Sequence, residues 1–221
     1  MMERKDNTLK FTPFAIDEDG TEHPGQPRYL PVEDISEFYC FGSLKANSSL
    51  FNFLGQKDIC MHFFDYYENY TGSFMSRDSL LSGRMLLAQT AAYQNKRKRM
   101  AIAQKFIDGA VYNMVRNLMY YNRRGKDMAD IIQIINDLAK KIPETIEIDE
   151  LMGIEGQIRK TYYEAFNLIL NDFEMGERTK QPPQNEVNAL ISFGNMMCYS
   201  QCLRAIHQTQ LNPTISYLHT P

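Results

Sequence analysis

The first third of the chain alternates short runs of aromatic and β-branched residues with turn-forming residues. These runs predict strands over about residues 9–14, 28–41, 59–64 and 70–75, with turns such as Asp19-Gly20 between them. One stretch, 48–57, instead repeats apolar residues at helical spacing, and Ser48 or Ser49 is placed to cap that helix. The pattern therefore predicts a small β-rich module that contains one helix.

After residue 75, apolar positions recur every three or four residues, which is the period of an amphipathic helix. Ser76 and Asp78 are candidate caps for the first of these helices, and the apolar positions from Met100 to Met119 predict a second helix of about 25 residues. Further helices are predicted over 127–142, 149–170 and 185–211, with a polar connector at 172–184. The chain is therefore expected to be an α+β protein with a β-rich domain at 1–75 and an α-helical domain at 76–221.

Composition places the chain among ordinary globular proteins, since 43% of its 221 residues are hydrophobic and 23% are charged. No apolar run approaches the roughly 20 residues that a membrane span needs, and the charged N-terminus lacks a secretory signal. We therefore expect a cytoplasmic protein without a membrane partner. The four cysteines fit a reducing compartment. Cys198 and Cys202, one helical turn apart, are read either as two buried thiols, which we favour, or as metal ligands.

Two basic clusters interrupt a chain whose net charge is −3. The first cluster contains Lys96, Arg97, Lys98 and Arg99, and the second contains Arg123, Arg124 and Lys126. The long predicted helix would hold them roughly 40 Å apart. Such clusters are either solvated surface or phosphate contacts, and the spacing alone does not decide between the two.

Glu155 lies between two glycines, Gly153 and Gly156, inside a predicted helix. Each glycine costs about 1 kcal/mol relative to alanine there, so a close approach of another helix or of a ligand must offset the loss. His219 follows an apolar, strand-like segment and is either structural or a metal ligand. One glutamate and one histidine make a weak Mg²⁺ or Mn²⁺ site without a further carboxylate. Because so few residues follow His219, we expect that the chain has been cut or recorded incompletely.

Three ordered segments resemble the signature blocks of a known family: "ELMGIEGQIRKTYYEAF", "QPPQNEVNALISFGNMMCYSQCLRAI" and "LNPTISYLHTP". The β-rich part agrees through "RKDNTLKF", "RYLPVEDISEFYCFG", "LFNFLGQKDICMHFFDYY" and "YTGSF". The family is the CRISPR adaptation integrase, often written "Cas one", and the likeness is closest to type I systems of the I-B kind. The resemblance implies an N-terminal β-sandwich-like dimerisation domain followed by an all-α catalytic domain. It also implies a chain that begins after the family's first strand and lacks part of the C-terminal domain.

The same resemblance implies a set of site residues. Glu155 and His219 match the catalytic metal ligands for Mg²⁺ or Mn²⁺, and the third, acidic ligand falls in a block that the chain does not contain. Asn188 and Ser192 match a polar pair that either orients ligands or packs between helices. The resemblance also implies that Arg159, Lys160 and both basic clusters contact DNA phosphates.

The function implied by the resemblance is a metal-dependent DNA endonuclease and integrase of CRISPR adaptation. It inserts foreign DNA spacers by attack of a DNA 3′-hydroxyl on the phosphodiesters of the CRISPR repeat. The implied partners are double-stranded DNA with single-stranded ends, a second copy in a homodimer, a "Cas two" subunit that bridges two dimers, and a "Cas four" nuclease. Two alternatives remain at this point: a non-catalytic homodimerisation and DNA-binding fragment, and a helical protein-interaction module.

Overall fold

The computed structural model describes residues 1–76, 82–179 and 182–219. Strands come first along the chain and helices follow, so the predicted α+β class is confirmed. The chain divides into two compact units: the first contains residues 1–81 and 196–209, and the second contains residues 82–195 and 210–221. The domain boundaries expected from the sequence stay a prediction.

The first unit contains three small sheets. Its strands are β1 (Met2–Lys5), β2 (Thr8–Phe11), β3 (Phe14–Ile16), β4 (Glu22–Pro24), β5 (Arg28–Pro31), β6 (Glu37–Phe41), β7 (Cys60–Phe64) and β8 (Tyr70–Phe74). Strands β1, β2 and β5 form an antiparallel sheet, and β3 and β4 form a hairpin. Strand β7 lies between a parallel partner, β6, and an antiparallel partner, β8.

The predicted strands differ from the observed ones where the strand residues are charged or where a proline interrupts the pairing. Strand β1 was missed because three of its four residues are charged, yet it pairs with β2 across a two-residue turn in which Asp6 adopts a left-handed φ of 56°. The predicted strand 9–14 stops at Phe11, two residues before Pro13, which has no N–H for a ladder. The predicted strand 28–41 is two strands, separated by a 3₁₀ turn at Val32–Asp34.

Helix α1 (Ser48–Gln56) connects β6 to β7 and contributes Leu50, Phe53 and Leu54 to the first unit's core. Its cap is neither Ser48 nor Ser49, as the sequence suggested, but Asn47, whose Oδ1 accepts from the backbone N of Leu50 at 3.1 Å. An asparagine one residue earlier satisfies the same free N–H. The core beneath the helix consists of Met2, Leu9, Val32, Leu50, Phe53, Leu54, Ile59 and Met61.

The second unit is helical. Its helices are α2 (Gly83–Gln94), α3 (Lys96–Asn122), α4 (Ala129–Ala139), α5 (Ile148–Glu164), α6 (Phe166–Ile169) and α7 (Glu186–His207), although α7 from Met196 onward belongs to the first unit. Its core is built on one face each of α3, α4 and α5, with Ile107, Ile135 and Leu151 among the buried residues. Among the described residues, no helix is long and apolar enough to span a membrane.

Several helix boundaries differ from the prediction. Ser82 caps α2 through a bond from the backbone N of Met85, rather than Ser76, and Asp78 lies outside the described residues. The helix predicted over 149–170 breaks at Ala165 into α5 and α6. The stripe predicted along the second helix is less buried than expected, because Phe106 is 59% exposed.

Candidate functional site

Glu155 lies at the edge of the buried face of α5. Leu151 and Ile158, one turn before and almost one turn after it, are buried in the core and fix the orientation of the helix. The Glu155 side chain is only 18% exposed and forms an ion pair with Arg159, one turn further along. The guanidinium therefore occupies a place beside the carboxylate where a cation is favourable.

The two glycines beside Glu155 leave open space. A Cβ built at Gly153 or at Gly156 would meet no atom of the described residues within 4 Å, apart from neighbouring backbone of α5 itself. Close helix–helix packing, the structural alternative raised by the sequence, therefore does not account for these glycines. The surface of α5 therefore carries no side chain at these two positions, of which Gly156 is adjacent to Glu155 and Gly153 lies on nearly the opposite side of the helix.

His219 is exposed, and the segment before it is not a strand as the sequence suggested but a series of turns and bends. Arg99 Nε donates to the carbonyl of Tyr217 at 2.8 Å, and this bond holds the segment against the start of α3. Leu218 packs on the same core cluster as Ile154, the residue before Glu155. The neighbours of both predicted ligands therefore belong to one core, and the joint metal site itself stays a prediction.

Glu155 and His219 offer one carboxylate and one imidazole. These ligands suit a hard divalent ion that keeps part of its water shell. Within residues 1–76, 82–179 and 182–219, no group of three or more His, Cys, Asp and Glu side chains could hold a metal ion.

Cys198 and Cys202 are both exposed, so our preference for two buried thiols was wrong. Partial burial, together with the Cys198 thiol, raises the pKa of Cys202 and keeps it protonated.

Asn188 and Ser192 are brought together by an arginine that the sequence analysis missed. Arg178 donates from Nη1 to Asn188 Oδ1 at 3.0 Å and from Nη2 to Ser192 Oγ at 2.9 Å. Asn188 is fully buried, and its Nδ2 donates to the carbonyls of Met175 and Glu177 at 3.3 and 3.0 Å. The polar pair on α7 therefore orients Arg178 and the loop that carries it. The only sequence signal was an arginine in an otherwise ordinary polar connector.

A cavity of about 460 Å³ lies between α5 and this loop. Its walls are Gly156, Arg159, Lys160, Tyr163, Glu164, Gly176, Glu177 and Arg178. Arg159 and Lys160, two of the predicted DNA contacts, thus share a wall with Arg178. Arg159 also connects the cavity to Glu155 through their ion pair.

The basic clusters lie at the two ends of α3. Lys96, Arg97 and Lys98 are exposed in its first turn, whereas Arg99 is partly buried by its bond to the C-terminal segment and lies over the Tyr93 ring at 4.4 Å. At the other end, Arg123 and Arg124 are exposed, and Lys126 Nζ donates to Asn171 Oδ1 at 3.0 Å. A helix of 27 residues keeps the clusters about 40 Å apart.

The first unit contains a buried polar network. His62 is completely buried: its Nδ1 lies 2.6 Å from Ser73 Oγ and its Nε2 lies 3.4 Å from Glu37 Oε2. Arg204, from the end of α7, places its Nε 3.9 Å from the same Glu37 oxygen. Burial lowers the pKa of His62, Arg204 adds to that effect, and Glu37 opposes it. His62 is therefore held as a neutral, structural imidazole.

The whole chain is similar to proteins of one known family. The family described as "CRISPR associated protein Cas1" matches residues 1–221. The chain is 45% identical over 223 residues to the CRISPR-associated endonuclease Cas1 of Fusobacterium nucleatum subsp. nucleatum. A Cas1 protein from Thermotoga maritima superposes with a TM-score of 0.79 at 37% identity, covering 99% of this chain and 66% of that one.

Two more distant structures share the fold. A casposase bound to its integration product has a TM-score of 0.81 at 20% identity, covering 100% of this chain and 62% of the casposase. A chain of a Cas6-RT-Cas1–Cas2 complex has a TM-score of 0.65 at 19% identity, covering 98% of this chain and 24% of that one. All of this chain matches the Fusobacterium relative, but it spans only 63% of that relative's length. The match to the family over every residue, together with these identities, shows that the chain belongs to the Cas1 family of CRISPR-associated proteins.

Proposed function

We propose that this chain carries the nuclease and integrase site of CRISPR adaptation and uses Mg²⁺ or Mn²⁺ to join foreign DNA to the CRISPR repeat. One observation carries the proposal: a partly buried carboxylate, Glu155, has a cation as its neighbour and is followed by a glycine, Gly156, whose surroundings are open. Membership of the Cas1 family, whose Fusobacterium member is named an endonuclease, supports the same chemistry.

In this proposal Glu155 and His219 would hold the divalent ion, as one carboxylate and one imidazole ligand. When bound, such an ion acts as a Lewis acid on a phosphate and stabilises the oxygens that attack and leave. Arg159 and Lys160 follow Glu155 by four and five residues on α5. Once Glu155 holds the ion in place of Arg159, both cations are available to neutralise the charge of the DNA backbone. In integration a DNA 3′-hydroxyl would attack a repeat phosphodiester, and the 3′-oxygen of the cut repeat strand would leave and take up a proton. In cleavage, water would be the attacking group.

The ends of α3 support DNA binding. Lys96, Arg97 and Lys98 lie in the first turn of a helix, where the positive end of the helix dipole disfavours each cation by roughly 0.3–1 kcal/mol. A bound phosphate backbone offsets that cost. The separation of about 40 Å to Arg123 and Arg124 corresponds to about 12 base pairs at roughly 3.4 Å per step. We propose that the two clusters contact the backbone of one duplex.

The proposed partners follow from the family. They are double-stranded DNA with single-stranded ends, a second copy in a homodimer, a Cas2 subunit that bridges two dimers, and a Cas4 nuclease. The likeness in fold to a chain of a Cas6-RT-Cas1–Cas2 complex is compatible with the Cas2 partner. The reaction would take place in the cytoplasm, where the DNA substrate is found.

The test replaces Glu155 by glutamine and uses Asp149→Asn as a matched control, because both changes remove one negative charge from α5 and only the first touches the site. We expect Glu155→Gln to weaken Mn²⁺ binding, measured by calorimetry, by more than roughly 100-fold, since even groups that only orient ligands contribute 10–100-fold. Cleavage and strand transfer should be lost with it, and a chelator should abolish both in the unaltered chain. Equal metal binding by the two variants would refute the site.

A second candidate is a non-catalytic fragment that dimerises and binds DNA. The observation in its favour is that the described residues contain no group of three potential metal ligands. This candidate predicts DNA binding that is unaffected by Mn²⁺ and no cleavage by the unaltered chain. Measurable metal-dependent strand transfer by the 221-residue chain would exclude it.

A further inference from the structure

The segment that leads to His219 begins at Asn212, whose backbone pairs with a side chain of α2 within the second unit. Gln89 Nε2 donates to the Asn212 carbonyl at 3.3 Å, and the Asn212 backbone N–H donates to Gln89 Oε1 at 2.8 Å. The carboxamide offers one donor and one acceptor side by side, so it binds Asn212 as a residue of a paired strand would.

The burial of Gln89 shows that this pairing is the purpose of the side chain. Gln89 is 7% exposed and is the only buried residue of α2, all of which the structure describes. A surface helix ordinarily buries an apolar residue at such a position. A buried carboxamide without partners would leave two polar groups unsatisfied, so Gln89 strongly favours the conformation in which Asn212 is bound.

The turn that Gln89 holds is itself rigid. Asn212 Oδ1 accepts from the backbone N–H of Thr214 at 2.8 Å and from its hydroxyl at 2.7 Å. Pro213, between these two residues, has a fixed φ. The position of Asn212 is therefore transmitted to the residues that follow it.

The other end of the segment is held by Arg99. Its Nε donates to the carbonyl of Tyr217 at 2.8 Å, and its guanidinium lies over the Tyr93 ring at 4.4 Å from the centroid. Leu218 packs on the core cluster of the second unit. Because Arg99 is committed to a carbonyl and an aromatic ring, it differs from the three exposed cations that precede it on α3.

We propose that Gln89 and Arg99 are positioning residues for His219: they fix residues 212–218 on α2 and α3, so that the imidazole projects from an ordered backbone. This inference rests on the proposed function, in which His219 holds the ion. It adds that metal affinity depends on two side chains that are not ligands. Without them the segment would have to be ordered when the ion binds, and that entropy would be lost from the affinity.

The experiment compares Gln89→Leu with Gln94→Leu in the full chain, because both remove a carboxamide from α2 and Gln94 is exposed. Without metal, Gln89→Leu should speed hydrogen exchange of the Asn212 amide roughly tenfold or more and increase the mobility of the His219 amide in NMR relaxation. Mn²⁺ binding, measured by calorimetry, should weaken roughly 10–100-fold, the range for groups that orient metal ligands. Gln94→Leu should change none of the three. A purely structural Gln89 would lower the urea midpoint but leave His219 mobility and the Mn²⁺ affinity of the folded chain unchanged.

Arg99→Gln is a second variant that acts on the other end of the segment. It should fold, because a cation is unfavourable in the first turn of a helix. Lys105→Gln is its matched control, since it removes the same charge from α3 and the Lys105 side chain is 81% exposed. In the absence of DNA, Arg99→Gln should weaken Mn²⁺ binding roughly tenfold and Lys105→Gln should not.

DNA binding separates positioning by Arg99 from contact with a phosphate. Lys98→Gln should lower the logarithmic salt slope of duplex binding by about 0.9, the value for one phosphate contact on a duplex. Arg99→Gln should leave that slope unchanged, because its guanidinium is already engaged. An equal loss of slope in both variants would overturn the assignment of Arg99.

The two proposals fail in different ways. Mn²⁺ binding that needs Glu155 but is equal in Gln89→Leu, Arg99→Gln and their controls would overturn the positioning inference and leave the proposed function intact. Mn²⁺ binding that does not need Glu155 would refute the proposed metal site. The metal-free measurements then decide the positioning inference: a more mobile His219 amide in both variants supports it, and unchanged mobility overturns it.

Discussion

The glycines of α5 offer a sharp test of the open space beside Glu155. Gly153→Ala and Gly156→Ala each add one methyl group at an exposed position in the interior of a 17-residue helix. In the part of the chain that the structure describes, neither methyl would meet a neighbouring element within 4 Å, so no steric cost offsets the gain in helix propensity. We therefore expect each variant to increase the free energy of unfolding by about 0.8–1 kcal/mol.

Urea titration followed by helical ellipticity measures this gain, and a thermal melt should shift upward by roughly 2–4 °C for a chain of this length. The two variants should differ in function, because only Gly156 lines the cavity. Gly156→Ala should weaken DNA binding severalfold, because its methyl group enters the cavity that Arg159 and Lys160 line, whereas Gly153→Ala should leave DNA binding unchanged. A loss of stability in either variant would show that the space is filled, and the interpretation of the glycines would be wrong.

Two further predictions concern the first unit. Because burial lowers the pKa of His62 below its ordinary value of 6.5, the unfolded chain takes up a proton first as pH falls, so stability should be complete above about pH 6.5 and decline below it. His62→Gln should flatten that decline in urea titrations across the same pH range, and an unchanged slope would contradict the assignment. Asn47→Ala should destabilise the chain by about 1 kcal/mol in thermal unfolding, while Ser48→Ala changes it by a few tenths at most, because only Asn47 caps α1. Equal losses of stability in the two variants would show that Ser48 contributes to the cap as much as Asn47 does.

The sequence alone predicted the α+β class and the long helices. Apolar residues at three- and four-residue steps lie on one face of an α-helix and on no single face of a strand. It could not predict β1, whose charged residues carry no strand pattern and which forms only because Thr8–Phe11 offers a pairing edge. Local propensity also misplaced the cap of α1 by one residue, since serine and asparagine satisfy the same N–H groups.

Some residues of the candidate site could likewise be predicted from the sequence, and others could not. Glu155 was noticed because the glycines beside it lower helix propensity, and His219 was noticed as an isolated imidazole, but only the resemblance to a family assigned the two to one metal site. Arg178 could not be found from sequence, because its role depends on bonds to Asn188 and Ser192, ten and fourteen residues further along the chain. Such contacts arise from the path of the connector, which no periodic pattern encodes.

The bonds that hold Arg178 have a practical consequence for handling the protein. The connector has the composition of a linker, and a protease such as trypsin would be expected to cut after this arginine. Trypsin must draw the arginine side chain into its own pocket, yet here the guanidinium is already held by Asn188 and Ser192. The rate of cleavage after Arg178 therefore reports how often this side chain loses its hydrogen bonds to α7.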